Sequence, residues 1–192
     1  GRIEVFGLDP TRDARALQDR IGVQLQEAQL QKRIKVWEAV NLWASLYPTT
    51  VDGDRLLDQL GLTEKRDAWF MTLSGGQKQR LFIALALIND PELIFLDELT
   101  TGLDPQARRA IWDLIRDIRE RGKTVFLTTH LMEEAERLCD HVAIIEHGRT
   151  DIEVVVDREL ITFRTRALHG DLDEVGGILG DMLLAPGLDG AA

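Results

Sequence analysis

Short, wholly apolar runs set between helical patterns constrain this chain more than any other feature of its sequence. Leu93-Ile94-Phe95-Leu96, Val125-Phe126-Leu127 and Val142-Ala143-Ile144-Ile145 contain no polar side chain. A strand with one wet face would alternate, so a run without polar residues fits a strand covered on both faces of a parallel sheet. The intervening segments read as helices. Residues 82–88 are apolar and helical, and Asn89-Asp90-Pro91 breaks them. Over 105–121 the spacing predicts the clearest helix. Asp104 is a good N-cap and Pro105 suits the first helical position. Ile111, Leu114, Ile115 and Ile118 line one face, and Gly122 ends the run. Residues 131–138 form a further helix. Strand, helix, strand, helix, strand in this order predicts an α/β layered fold.

The flanking segments are less regular. Residues 1–10 alternate at Ile3, Val5 and Phe6 and close on Gly-Leu-Asp-Pro, which reads as a strand and its exit loop. Residues 11–20 read as a charged surface helix and 21–25 as a second strand. From about Arg33 to Trp69 the pattern is helical, with Val36, Trp37, Val40, Leu42, Trp43 and Leu46 three and four apart. Tyr47-Pro48 closes the first of those helices. Beyond Arg149, Val154-Val155-Val156 and Leu160-Ile161-Thr162-Phe163 look like strands. Residues 170–192 are rich in Gly and Asp and are expected to be loosely structured. The chain opens on Gly1 and its first methionine is Met71, so it reads as a piece whose beginning lies upstream.

Composition narrows the function. The 192 residues are 44% hydrophobic, enough for a core, and carry 23 Lys plus Arg against 33 Asp plus Glu, a net charge of −10. That is the wrong sign for a nucleic-acid binder, whose affinity comes mainly from phosphate neutralisation. The longest apolar run is 81–88, whereas a membrane-spanning helix needs about 20 residues. The single cysteine, Cys139, excludes an internal disulfide and a multi-cysteine metal site.

Three constellations could carry chemistry. Leu73-Ser74-Gly75-Gly76-Gln77-Lys78-Gln79-Arg80 opens a helix. Ser74 with Gln77 three residues on is also a capping box, so helix capping alone could explain the pair. Two adjacent glycines cost helix stability, about 1 kcal/mol each. They also let an anion approach the free amides and the positive end of the helix dipole. Asp97-Glu98 follows a buried strand, and ligands in open α/β sheets bind beyond the carboxyl ends of strands. One carboxylate there suits Mg²⁺, and a second can act as general base toward water. The alternative is a pair of solvated loop acids. His130 follows the strand over 124–129 and is placed at the same sheet edge. His141, His147 and His169 have no ligand spacing. Gly122-Lys123-Thr124 resembles the end of a phosphate loop, G-x-x-x-x-G-K-[ST], but Asp117 stands where its first glycine belongs and a strand follows.

Taken together these residues resemble the nucleotide-binding domain of ATP-binding-cassette (ABC) ATPases. Leu73–Gln77 is similar to the family's signature. Leu93–Asp97 with Glu98 is similar to the Walker B strand and catalytic glutamate, and Thr101-Gly102-Leu103-Asp104 to the D-loop. His130 is similar to the switch histidine, followed by the usual acidic helix. Gln26, in Ile21-Gly22-Val23-Gln24-Leu25-Gln26-Glu27, stands where the Q-loop glutamine belongs, with Gln24 the other choice. The match spans about 1–149. Ile-Gly-Val-Gln-Leu-Gln and Leu-Thr-Thr-Gly-Leu-Asp-Pro are similar to bacterial drug-export ATPases of the daunorubicin-resistance type.

The resemblance implies a P-loop-NTPase-like parallel sheet with a helical subdomain near 33–90, without its N-terminal strands, Walker A loop and adenine-stacking aromatic. It implies a partial nucleotide-binding domain over 1–149 and a C-terminal extension over 150–192. ATP and Mg²⁺ are the implied ligands. Ser74, Gly75, Gly76 and Gln77 would address the γ-phosphate of an ATP seated on a second subunit paired head to tail, with Asp104 in the adjoining loop. Asp97 would serve the metal, Glu98 the attacking water and His130 the γ-phosphate, while Gln26 would sense both metal and water and couple the site to the transmembrane partner through the helical subdomain. Transmembrane permease subunits are the implied partners, with no nucleic acid, and the implied place is the cytoplasmic face of the membrane as a peripheral subunit. The chain alone is then expected to be inactive. Two other readings stay open: a degenerate module lending only its signature to another subunit, and a non-transport ABC ATPase of DNA repair. The latter class inserts long coiled coils between Q-loop and signature, for which the stretch from Gln26 to Ser74 is too short. Two further departures are Leu99, where the family usually has proline, and a shortened stretch after Gly148-Arg149.

Overall fold

The computed structural model describes residues 3–25, 28–142, 151–152 and 165–166. They fall into two units, one continuous over Asp19–Asp140, the other taking in the described residues before and after it.

In the second of these units, α1 spans Ala14–Gln18. The expected strand over 1–10 is not formed by the described residues. Val5 and Leu8 instead exchange both backbone hydrogen bonds at 2.9 Å. Phe6 and Gly7 turn between them at φ of 53° and 76°. Both central residues with positive φ make a tight turn that pairs the segment with itself. Asp151–Ile152 (β4) and Thr165–Arg166 (β5) form a short antiparallel pair. The expected strands at 154–156 and 160–163, most of that at 142–145, and the tail over 170–192 lie outside the described residues.

The continuous unit is built on a three-stranded parallel sheet in the order β1-β2-β3, from Ile21–Gln24, Leu93–Asp97 and Thr124–Thr128. Leu93 lies between Ile21 and Thr124, and Asp97 is registered with Thr128. The central strand β2 is buried through its four apolar residues, as an all-apolar run requires. β3 is only half-buried, which fits its place at the edge of the described sheet. Phe95 and Phe126, in register, tilt against each other at 5.4 Å.

Helices α2 (Val36–Ala44), α3 (Gly53–Gln59) and α4 (Gly75–Leu87) precede β2. Helices α5 (Pro105–Glu120) and α6 (Met132–Leu138) flank β3 in the chain. Val36, Val40, Leu57, Leu62, Leu81, Ile83, Ile94, Leu96, Ile111 and Ile115 belong to one continuous apolar core. α4 lies directly on β1. A Cβ on Gly22 would stand 1.9 Å from the Ala86 carbonyl oxygen, so only glycine permits that approach. The chain leaves α4 through Asp90, at φ 52°. Asn89 Nδ2 donates to the carbonyls of Asp19 (3.2 Å) and Ile21 (3.0 Å), tying the turn to the start of β1.

Candidate functional site

The carboxyl ends of the three parallel strands bring together Gln24, Asp97 and Thr128, and the chain beyond β2 and β3 continues into Glu98 and His130. The acids and the imidazole therefore share one edge. His130 Nδ1 lies 3.3 Å from Glu98 Oε1. Asp97 and Glu98 are half-buried and His130 is exposed, so the pair opens to solvent.

Neighbours hold each acid. The Thr128 hydroxyl donates to Asp97 Oδ1, a contact set by the β2–β3 register. Thr101 Oγ1 donates to Glu98 Oε2 at 3.2 Å, and the Glu98 amide donates to the Thr128 carbonyl at 3.1 Å. Glu98 sits at φ 45°, in the left-handed region. A proline at the next position would drive its predecessor into extended backbone. Leu99 leaves that choice open and is itself buried in the core. Thr129 Oγ1 accepts from the Leu131 amide at 3.0 Å, fixing the turn from His130 into α6.

The second group is the tip of α4. Ser74 Oγ accepts from the Gln77 amide at 3.3 Å, while Gln77 Oε1 accepts from the Ser74 amide at 3.0 Å. The capping box is thus formed. It does not exhaust the serine, because the cap uses a lone pair and leaves the hydroxyl proton to donate outward. Ser74 and Gly75 are exposed. Added Cβ atoms would meet Leu103 Cδ2 at 3.4 Å from Gly75 and Ala107 Cβ at 3.2 Å from Gly76. The tip therefore packs on the loop and helix headed by Asp104. Asp104 Oδ1 caps α5, accepting from Gln106 (3.0 Å) and Ala107 (2.9 Å) amides. Gln26 lies outside the described residues. Gln24 is buried, with Nε2 donating to the Leu25 carbonyl at 2.7 Å, and does not reach outward.

Sequence reasoning gave no separate role to Thr128, Thr101, Thr100, Trp112 or Glu134, with Thr100, Thr101 and Glu134 entering only as members of the matched motifs and the acidic helix. The first follows from counting register along two parallel strands. Glu134 has its own signal: an acid three residues after Leu131 and four before Leu138, on the apolar side of α6.

No group of three or more His, Cys, Asp or Glu able to hold a metal occurs among the described residues. The edge is not a protein-only cage. One carboxylate with open sides nevertheless fits Mg²⁺, which keeps waters and takes phosphate oxygens beside one or two carboxylates.

The fold is that of an ABC ATPase of the P-loop NTPase type. A solved ATP-binding cassette of an ABC transporter matches it with a TM-score of 0.55 at 21% identity, over 67% of this chain and 57% of that one. The family model described as ABC transporter matches residues 1–101. The chain belongs to the ABC transporter family. It is 44% identical over 154 residues to a Nod factor export ATP-binding protein I of Burkholderia pseudomallei (strain K96243), covering 78% of this chain and 51% of that protein. It is also 44% identical over 188 residues to the protein of that name from Rhizobium meliloti (strain 1021), covering 93% and 56%. The chain spans about half the length of these relatives. No helix among the described residues is long and apolar enough to cross a membrane.

Proposed function

We propose that this chain belongs to the ATP-hydrolysing subunit of an export system and supplies the hydrolytic edge and the trans-acting signature of its site. The observation that carries this is the meeting of Glu98 and His130 at 3.3 Å on the strand edge that also bears Asp97. Phosphoryl transfer is mostly positioning and charge stabilisation. Glu98, held by Thr101, accepts the proton of an attacking water. His130 bridges from Glu98 to the terminal phosphate. Asp97, oriented by Thr128, together with Gln26 would hold Mg²⁺, which when bound neutralises charge on the phosphates. Ser74, through its spare hydroxyl proton, and the amides of Gly75 and Gly76 address the γ-phosphate of ATP seated on a head-to-tail partner. Asp104 steadies the loop against which that tip packs.

The 192 residues hold no G-x-x-x-x-G-K-[ST] sequence, so the backbone cradle must come from elsewhere. Leu42 on α2, Leu46 just beyond it and Met71 before α4 are exposed apolar side chains that a membrane-embedded permease would cover. Relatives named for Nod factor export favour export over import; a drug or other small hydrophobic molecule as cargo and a peripheral place on the cytoplasmic face rest on the resemblance to daunorubicin-resistance-type ATPases. Calorimetric titration with Mg-ATP tests the trans reading. The chain alone should give no tight stoichiometric binding. Mixed with a subunit that carries a phosphate loop, it should pair in an ATP-dependent way that Ser74→Arg abolishes. Tight binding by the chain alone, or pairing indifferent to Ser74→Arg, would contradict it.

A further inference from the structure

Glu134 is a buried acid that the proposed hydrolysis does not use. It lies on α6, four residues beyond His130, and is 1% exposed. Its Oε1 accepts two hydrogen bonds, from Thr100 Oγ1 and from Trp112 Nε1, both at 2.9 Å and both buried. Thr100 is fully buried and Trp112 nearly so. One oxygen thus joins the loop after β2, the helix α5 and the helix α6. Thr100 stands between Glu98 and Thr101, whose hydroxyl holds Glu98 Oε2. The other oxygen, Oε2, is buried without a hydrogen-bond partner among the described residues. A buried carboxylate is costly to desolvate, and a well-packed apolar side chain in its place is often no less stable. The junction fixes the geometry of three elements at one oxygen, and removing the acid alone would also strand the buried Thr100 and Trp112 donors.

We infer that Glu134 is a positioning residue: it ties the Glu98 loop and the helix behind His130 to a common point and so sets the separation of the two. This rests on the reading of Glu98 and His130 as the reacting pair. The clamp needs only an oxygen that accepts two hydrogen bonds. A glutamine at 134 can supply it, whereas a leucine cannot. Thr100→Val removes one donor at nearly constant volume.

NMR of the His130 imidazole in the 192-residue chain, assigned with His130→Gln, provides the test. The reading is the shift of its ring resonances on adding Glu98→Gln. In the wild-type and Glu134→Gln backgrounds that shift should be present. In Glu134→Leu and Thr100→Val it should be lost while the far-ultraviolet circular dichroism stays unchanged. Should Glu134→Leu fail to fold, Thr100→Val decides alone. An undiminished shift in Thr100→Val overturns the proposal, as does its loss in Glu134→Gln or its absence from the wild-type background. No nucleotide enters the measurement, so failure of ATP hydrolysis and failure of the clamp are read separately.

Discussion

Glu98, to which the proposed mechanism gives the general-base role, is one of three non-glycine residues with positive φ among those described, beside Phe6 and Asp90. A side chain at φ 45° carries a backbone cost of order 1–3 kcal/mol, and such residues cluster at functional sites. Glycine would relieve it. Glu98→Gly is therefore expected to be more stable than Glu98→Ala by about 1 kcal/mol, checked by paired thermal unfolding. Equal stabilities would mean the turn is unstrained. Cys139 makes the opposite case, a residue whose chemistry is suppressed. Burial pushes its thiol up, with Asp140 and Glu134 adding to that and Arg119 pulling down. The thiolate is the reactive form, so at pH 8 the folded chain should be alkylated several-fold more slowly than a free cysteine. Rates that match until urea is added, or exceed the free thiol, would contradict the assigned environment.

At the scale of the element, α4 joins two requirements that the sequence presented as rivals. Capping uses a lone pair of the Ser74 hydroxyl, which leaves its proton for the anion recognition proposed above. Ser74→Ala should cost about 1 kcal/mol by losing the cap, measured by denaturant unfolding. The same helix depends on Gly22. Gly22→Ala would set a methyl against the Ala86 carbonyl and should destabilise by about 1–3 kcal/mol or more, the range of overpacked cores. A substitution without effect would show that α4 can slide from β1. The cap is legible in the sequence of α4, but the Gly22 contact could not be read from α4 or β1 alone. The apolar runs gave each element its kind, but a close backbone approach across elements leaves no mark beyond an unexplained glycine.

Over the whole chain, what local pattern decides was legible. The all-apolar run at 93–96 became a buried central strand, Asp104 and Pro105 started α5, and the shared edge for Asp97, Glu98 and His130 followed once the strands were taken as parallel. Distant or competing forces decided the rest. The alternation at Ile3, Val5 and Phe6 lost to a turn that lets Val5 and Leu8 pair with each other. Thr128 acquired its role from register, and Glu134 from three elements converging on one oxygen. The family is read from the match over residues 1–101, while no described residue distinguishes one cargo from another.

In the proposed mechanism the Glu98–His130 pair readies water for attack on a phosphate held from across a subunit boundary. Steady-state ATP hydrolysis by the assembled transporter, with Glu98→Gln against wild type and bound nucleotide measured in parallel, addresses it most directly. Loss of a positioned general base should lower turnover by about 10²–10⁴-fold while nucleotide stays bound. Turnover that survives Glu98→Gln unchanged would contradict the account.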